Sequence, residues 1–199
     1  MTTSTSIRLS KQIDFLLEID SLKNVLRQNL LVDGSRRENT AEHSWHIAVL
    51  AIILHEYSDT ETNLSRIIKM LLVHDLVEIY AGDSFAHDES QLADQREREL
   101  EAADKLFSIL PEEQGKDLRA YWEEFDARKT ADAKFANVVD RVLPFLQNLH
   151  TASGSWKKHS ITREQEIKRM YPVAEGSKTL WEFVSQQIDK ATEDGLLKA

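Results

Sequence analysis

Four polar residues of this sequence sit on, or beside, helix stripes that are otherwise apolar: His43, the adjacent pair His74-Asp75, and Asp140. A lone buried carboxylate is costly unless it is paired or binds a metal. Imidazole is a good neutral donor to a divalent transition ion, and carboxylates supply the compensating charge. Two histidines and two aspartates neutralise such an ion and leave coordination positions free for water and substrate. Each residue taken singly has a plainer reading. His43 would serve as a hydrogen-bonded core histidine, a His-Asp dipeptide arises by chance, and Asp140 has Arg141 beside it as an ion-pair partner. Spread over three helices in this order, they read as one site for one divalent metal, which suits the centre of a helical bundle.

The elements that must position them follow from periodicity. A first helix is expected over about residues 10–29, with residues 1–8 as a mobile tail, and Asp33-Gly34 breaks the pattern. Asn39 with Glu42 three residues later predicts a capping box, with Thr40 an alternative cap. Ile47, Leu50 and Leu54 then mark a helical stripe that, extended backwards, lands on His43 and points it inward. A third helix is expected over residues 63–80, carrying Ile67, Leu71, His74 and Glu78 on one face. Gly82 ends it and Asp83 follows at once. A charged fourth helix from about residue 87 runs to about 110, where Pro111 stops it, and a fifth covers 113–127. The sixth, 131–150, carries Phe135, Val139, Val142 and Leu146, with Asp140 beside that face and Pro144 as a kink. Residues 151–156 read as a turn, a short helix follows Thr162, and a last helix covers 172–192. No segment shows convincing strand alternation, so the fold class is all-α, a helical bundle in a single domain over residues 1–199.

Composition narrows the function classes. A formal net charge of −9 argues against a nucleic-acid polymer as partner. The absence of cysteine removes thiolate metal sites, thiol nucleophiles and disulfides together, and fits a reducing cytoplasm. No apolar run approaches the length needed to span a bilayer; the longest is residues 47–54. Residues 1–10 hold no signal-like apolar stretch. A soluble cytoplasmic protein is expected, and the aromatic clusters Tyr121-Trp122 and Trp181-Phe183 stand as core or as the face of a homodimer.

The segments ENTAEHSWH, HDLVEIYAGDS and VVDRVLPFLQN, in that order, resemble the H…HD…D signature of the HD-domain superfamily, and more closely its small-protein branch that includes the 5′-deoxynucleotidases. The resemblance covers about residues 13–147. It implies an all-helical HD-domain bundle, one divalent ion (Mn, Co, Fe, Ni or Zn), and hydrolysis of a phosphomonoester, a nucleoside 5′-monophosphate or similar small phosphate compound. Position by position, His43, His74, Asp75 and Asp140 match the metal ligands. Glu78 and Asp83 match two acids flanking the attacking water and the leaving group. Arg27 stands near the arginine that grips the phosphate, with Arg36 and Arg37 as further candidates. No tryptophan follows Arg27, a departure from the branch that bears on its preference for a 2′-deoxy sugar. His46, one turn from His43, reads as a neighbour of the ligands, a second-metal ligand or a core residue. His55 and His87 are poorly placed for a second metal, so the site is read as mononuclear. Other activities of the superfamily on phosphodiesters and pyrophosphates, and nucleotide binding without turnover, are the alternatives.

Overall fold

The computed structural model describes residues 3–83, 94–151 and 154–199. In chain order these form α1 (Thr3–Glu18), a 3₁₀ segment (Ile19–Asn24), strands β1 (Leu26–Leu30) and β2 (Arg37–Asn39), α2 (Thr40–Leu54), α3 (Leu64–Val73) and the single turn α4 (Glu78–Ala81). There follow α5 (Gln95–Phe107), α6 (Glu112–Ala127), α7 (Ala131–His150), α8 (Gly154–His159), α9 (Arg163–Met170) and α10 (Lys178–Glu193). The all-helical reading holds, apart from one antiparallel two-stranded ribbon.

Helices α2, α3 and α7 make the centre. Each begins on a side-chain cap: Asn39 accepts from the Glu42 N–H, Asn63 from the Arg66 N–H, and Thr130 from the Ala133 N–H. The predicted box at α2 is complete, because the Glu42 carboxylate accepts in return from the Asn39 N–H at 3.3 Å. The inward stripes meet in a core of Ile47, Ala51, Ile67, Met70, Leu71, Phe135, Val139 and Val142, closed on one side by Trp156, Met170, Val184 and Ile188. A second apolar cluster joins Phe15 of α1 to Leu76, Val77, Leu106, Phe107 and Trp122. Among the described residues, no helix is long and apolar enough to cross a membrane.

Three departures from expectation bear on the site. Helix α1 begins at Thr3 rather than near residue 10, and the chain beyond Glu18 tightens and then extends into β1, which was expected to be helical. Leucines at 26, 30 and 31 suit either period over so short a run. The turn decides: Gly34 adopts φ +71°, and Ser35 donates to Asp33 Oδ1 from both its N–H (2.9 Å) and its hydroxyl (2.7 Å). The expected third helix is also two pieces. The His74 ring occupies the Leu71 carbonyl that the helix would otherwise offer to residue 75, and the next bonds contract to Leu76 N–H to Val73 O and Glu78 N–H to Asp75 O. Finally, α8 occupies part of the expected turn, and α10 starts at Lys178 on its Ser177 cap, preceded by a 3₁₀ segment over Tyr171–Glu175. The expected start of the fourth helix, near residue 87, lies outside the described residues; α5 covers Gln95–Phe107.

Candidate metal centre

His43 lies in the first turns of α2 and is fully buried, as its stripe predicted. His74 and Asp75 occupy the tight turn between α3 and α4, and Asp140 lies midway along α7. One ligand atom each from His43, His74 and Asp75 falls within 4.8 Å of the other two. Asp140 joins them, its Oδ1 lying 3.0 Å from His43 Nε2 and 3.6 Å from His74 Nε2. Pro144 stands four residues after Asp140 and has no N–H to give its carbonyl, so α7 lacks one backbone hydrogen bond beside this ligand.

The donor set fits a cation. His74 donates from Nδ1 to the Leu71 carbonyl at 2.9 Å, which leaves Nε2 as the lone-pair atom of a neutral ring. That Nε2 is buried without a hydrogen-bond partner and sits 3.0 Å from Asp75 Oδ1. A lone pair and a carboxylate oxygen repel at that distance unless a proton or a metal ion lies between them. Without a metal the proton takes that place: burial opposes the charge, but Asp75 and Asp140 outweigh burial and push the His74 imidazolium up to about 10.

The four acids around this point divide by environment. Burial would raise Asp75, but His74 and Arg27 outweigh it and hold the carboxyl low. Burial would likewise raise Asp140, which the His43 and His74 hydrogen bonds hold well below the usual range. Glu78 is pushed well above it, by burial first and by Asp75 next. Asp83 is raised by burial and by Asp75, with Arg27 opposing. Groups that stay charged suit ligation, and groups pushed upward suit proton transfer.

Glu78 opens α4 and accepts the Thr40 hydroxyl at 3.0 Å, so it faces the start of α2. Asn39 rather than Thr40 caps α2, and the Thr40 hydroxyl orients Glu78 instead. Gly82 turns the chain at φ +78°, ψ 157°, a conformation nearly exclusive to glycine, and brings Asp83 to 4.0 Å from Arg27. Arg27, on β1, reaches the same point and donates to Asp75 Oδ2 at 2.9 Å.

The other two arginines are not brought into this cluster. Arg36 is exposed and makes a two-pronged bond to the Glu42 carboxylate at 2.7 and 2.9 Å. Arg37 donates to the Arg27 carbonyl, and to the Leu26 carbonyl at 2.6 Å, so its guanidinium fastens the ribbon that carries Arg27. His46 rests against exposed Trp45, ring centroids 5.7 Å apart. His55 pairs with Thr62, and His87 lies outside the described residues.

Two polar residues of the site were missed in the sequence. Glu38, the middle residue of β2, is 1% exposed and lies 3.4 Å from His43 Nδ1. Gln147 donates to Glu38 Oε1 at 2.8 Å. Gln147 follows Asp140 by two helical turns on the same stripe, a signal that was readable. Glu38 offered none beyond its place next to the cap.

A model described as HD domain matches residues 19–181. The human protein named 5′-deoxynucleotidase HDDC2 is 31% identical over 136 residues, 68% of this chain. The match spans 65% of that relative's length, just under two thirds. A Pectobacterium atrosepticum protein named 5′-deoxynucleotidase ECA3034 is 31% identical over 155 residues, 73% of this chain and 77% of its own. The crystal structure of a protein from Magnetospirillum magnetotacticum, described as a predicted metal-dependent phosphohydrolase, is 47% identical with a TM-score of 0.95, each chain covered in full.

Proposed function

This chain belongs to the HD domain family, and we propose that it is a metal-dependent phosphohydrolase acting on a nucleoside 5′-monophosphate or a similar small phosphomonoester. One observation carries the reading: buried His43 and His74 and half-buried Asp75 converge within 4.8 Å, ringed by two acids that burial drives upward. The names of the human and Pectobacterium relatives support the substrate class.

His43, His74, Asp75 and Asp140 would hold one divalent ion; mixed nitrogen and oxygen donors suit Mn, Co, Fe, Ni or Zn. Such an ion supplies Lewis-acid stabilisation of phosphoryl charge and makes a water molecule acidic enough to attack near neutral pH. The chain's own groups do the rest. Glu78, fixed by the Thr40 hydroxyl, accepts the proton of the attacking water. Asp83 delivers a proton to the leaving alkoxide, which its raised affinity for protons favours. Arg27 exchanges part of its hold on Asp75 for the phosphoryl oxygens and neutralises them as charge redistributes. Arg37 keeps the Arg27 backbone in place, and Arg36 stays on Glu42 outside the reaction.

We also take the protein to work in the cytoplasm as a homodimer. The lack of cysteine supports the first, and an exposed uncharged stripe of Trp45, Val49, Ile52 and Ile53 on α2 supports the second. The activity is tested by product analysis with ribo- and deoxyribonucleoside 5′-monophosphates, a nucleoside triphosphate and a phosphodiester. Orthophosphate and nucleoside from a monophosphate are expected. Cleavage confined to the diester or the triphosphate would replace the monoesterase reading.

A further inference from the structure

Glu38 is an acid in an unusual place. It sits in a three-residue strand, 1% exposed, with neither neighbour on the strand able to share its charge from the same face. Its Oε1 is pinned by the Gln147 amide at 2.8 Å. Its Oε2 looks two ways, to His43 Nδ1 at 3.4 Å and to Arg27 Nε at 3.9 Å. All three of those atoms are buried and have no hydrogen-bond partner, so the two contacts are pairings of charged or polar groups left to face one another. The far end of the same guanidinium meets Asp75 Oδ2, 2.9 Å away.

Resting on the metal-centre reading, we propose that Glu38 is a positioning residue that ties the metal centre to the phosphate-binding arginine. The His43 ring lies between two carboxylates, Glu38 at Nδ1 and Asp140 at Nε2. Only the Nε2 side faces the other ligands. Both carboxylates can only accept; with a cation between Nε2 and Asp140, the one ring proton is left to face Glu38 at Nδ1, and the Nε2 lone pair is free for the metal. The same oxygen faces the inner edge of Arg27 and sets the angle at which its outer nitrogens meet Asp75 and an incoming phosphate. Gln147, on the stripe of α7 that also carries Asp140, fixes the rotation of the carboxylate. One buried acid thus sets the ligating atom of one group and the aim of the other.

The substitution Glu38→Gln tests this with almost no change of shape. Gln147 would still donate to the amide oxygen, which turns the new NH₂ toward His43 Nδ1. The ring must then accept at Nδ1 and carry its proton on Nε2, where it blocks the metal. The expected result is a fall of roughly 10–100-fold in Mn²⁺ affinity, measured by calorimetric titration of the metal alone into chelator-stripped protein. With the metal saturating, KM should rise by a larger factor than kcat falls. Gln147→Met, which frees the carboxylate without removing it, should weaken Mn²⁺ binding by a smaller factor and decides the matter if Glu38→Gln does not fold. Wild-type Mn²⁺ affinity in a folded Glu38→Gln or, failing that, in Gln147→Met would mean that Glu38 is only a buried structural acid, and would overturn the proposal. A wild-type protein that binds no Mn²⁺ would instead overturn the metal-centre reading on which it rests.

Discussion

His74 offers Nε2 to the cluster because its Nδ1 is committed to the Leu71 carbonyl, and Asp75 stays charged because His74 and Arg27 face it. At Glu78, which accepts the Thr40 hydroxyl, burial and the Asp75 charge outweigh the pull of Arg27 and His74. These differences predict different losses. Replacing Glu78 with Gln keeps the ligands and removes the proton acceptor. Steady-state assays should show kcat lower by about 10²–10⁴-fold, with Mn²⁺ affinity little altered. A rate near that of the wild type would assign Glu78 to structure. Arg27→Ala should act mainly on KM. Loss of a hydrogen bond to a charged group is worth about 1.5–3 kcal/mol, which is roughly ten- to a hundredfold in binding. A change in kcat alone, with KM constant, would count against a phosphate-gripping role.

At the scale of elements, the site is held by interruptions as much as by helices. The break after Val73 lets His74 and Asp75 both face inward, and the Gly82 turn returns Asp83 to Arg27. Alanine at 82 has open space for its Cβ, so its cost is in the backbone, of order 1–3 kcal/mol at such a φ and ψ. Gly82→Ala should therefore lower both the thermal midpoint and kcat while leaving Mn²⁺ binding near wild type. An unchanged kcat would show that the position of Asp83 is unimportant. Much of this architecture was legible. The box at Asn39 and Glu42, the span of α7, and the inward aim of His43 and Asp140 all follow from local chemistry and a 3.6-residue period. The ribbon was not legible, because strands of five and three residues carry too little alternation to compete with leucines at helical spacing. Glu38 was hidden for the same reason: its burial depends on that ribbon docking beside α7. The break at His74 comes from a side chain taking a backbone acceptor, which no periodicity records.

The whole molecule divides its surface sharply. Its charge of −9 suits a small ligand gathered by a local arginine rather than a polyanion spread over the exterior. Helix α2 buries one side against the core yet exposes Trp45, Ile52 and Ile53 on the other, with Trp45 64% exposed. If that face joins two copies, Trp45→Glu should move the sedimentation coefficient from dimer to monomer without disturbing the helical spectrum; a wild-type monomer would remove the dimer. The most direct measurement concerns the centre itself: orthophosphate release from nucleoside 5′-monophosphates by chelator-stripped protein, as each divalent metal is added back, for the wild type and Asp75→Ala. The structure predicts no turnover before metal is added, turnover that saturates near one ion per chain in the wild type, and none in the variant. Equal turnover with and without metal, or in Asp75→Ala, would contradict a metal-dependent phosphohydrolase built on His43, His74, Asp75 and Asp140.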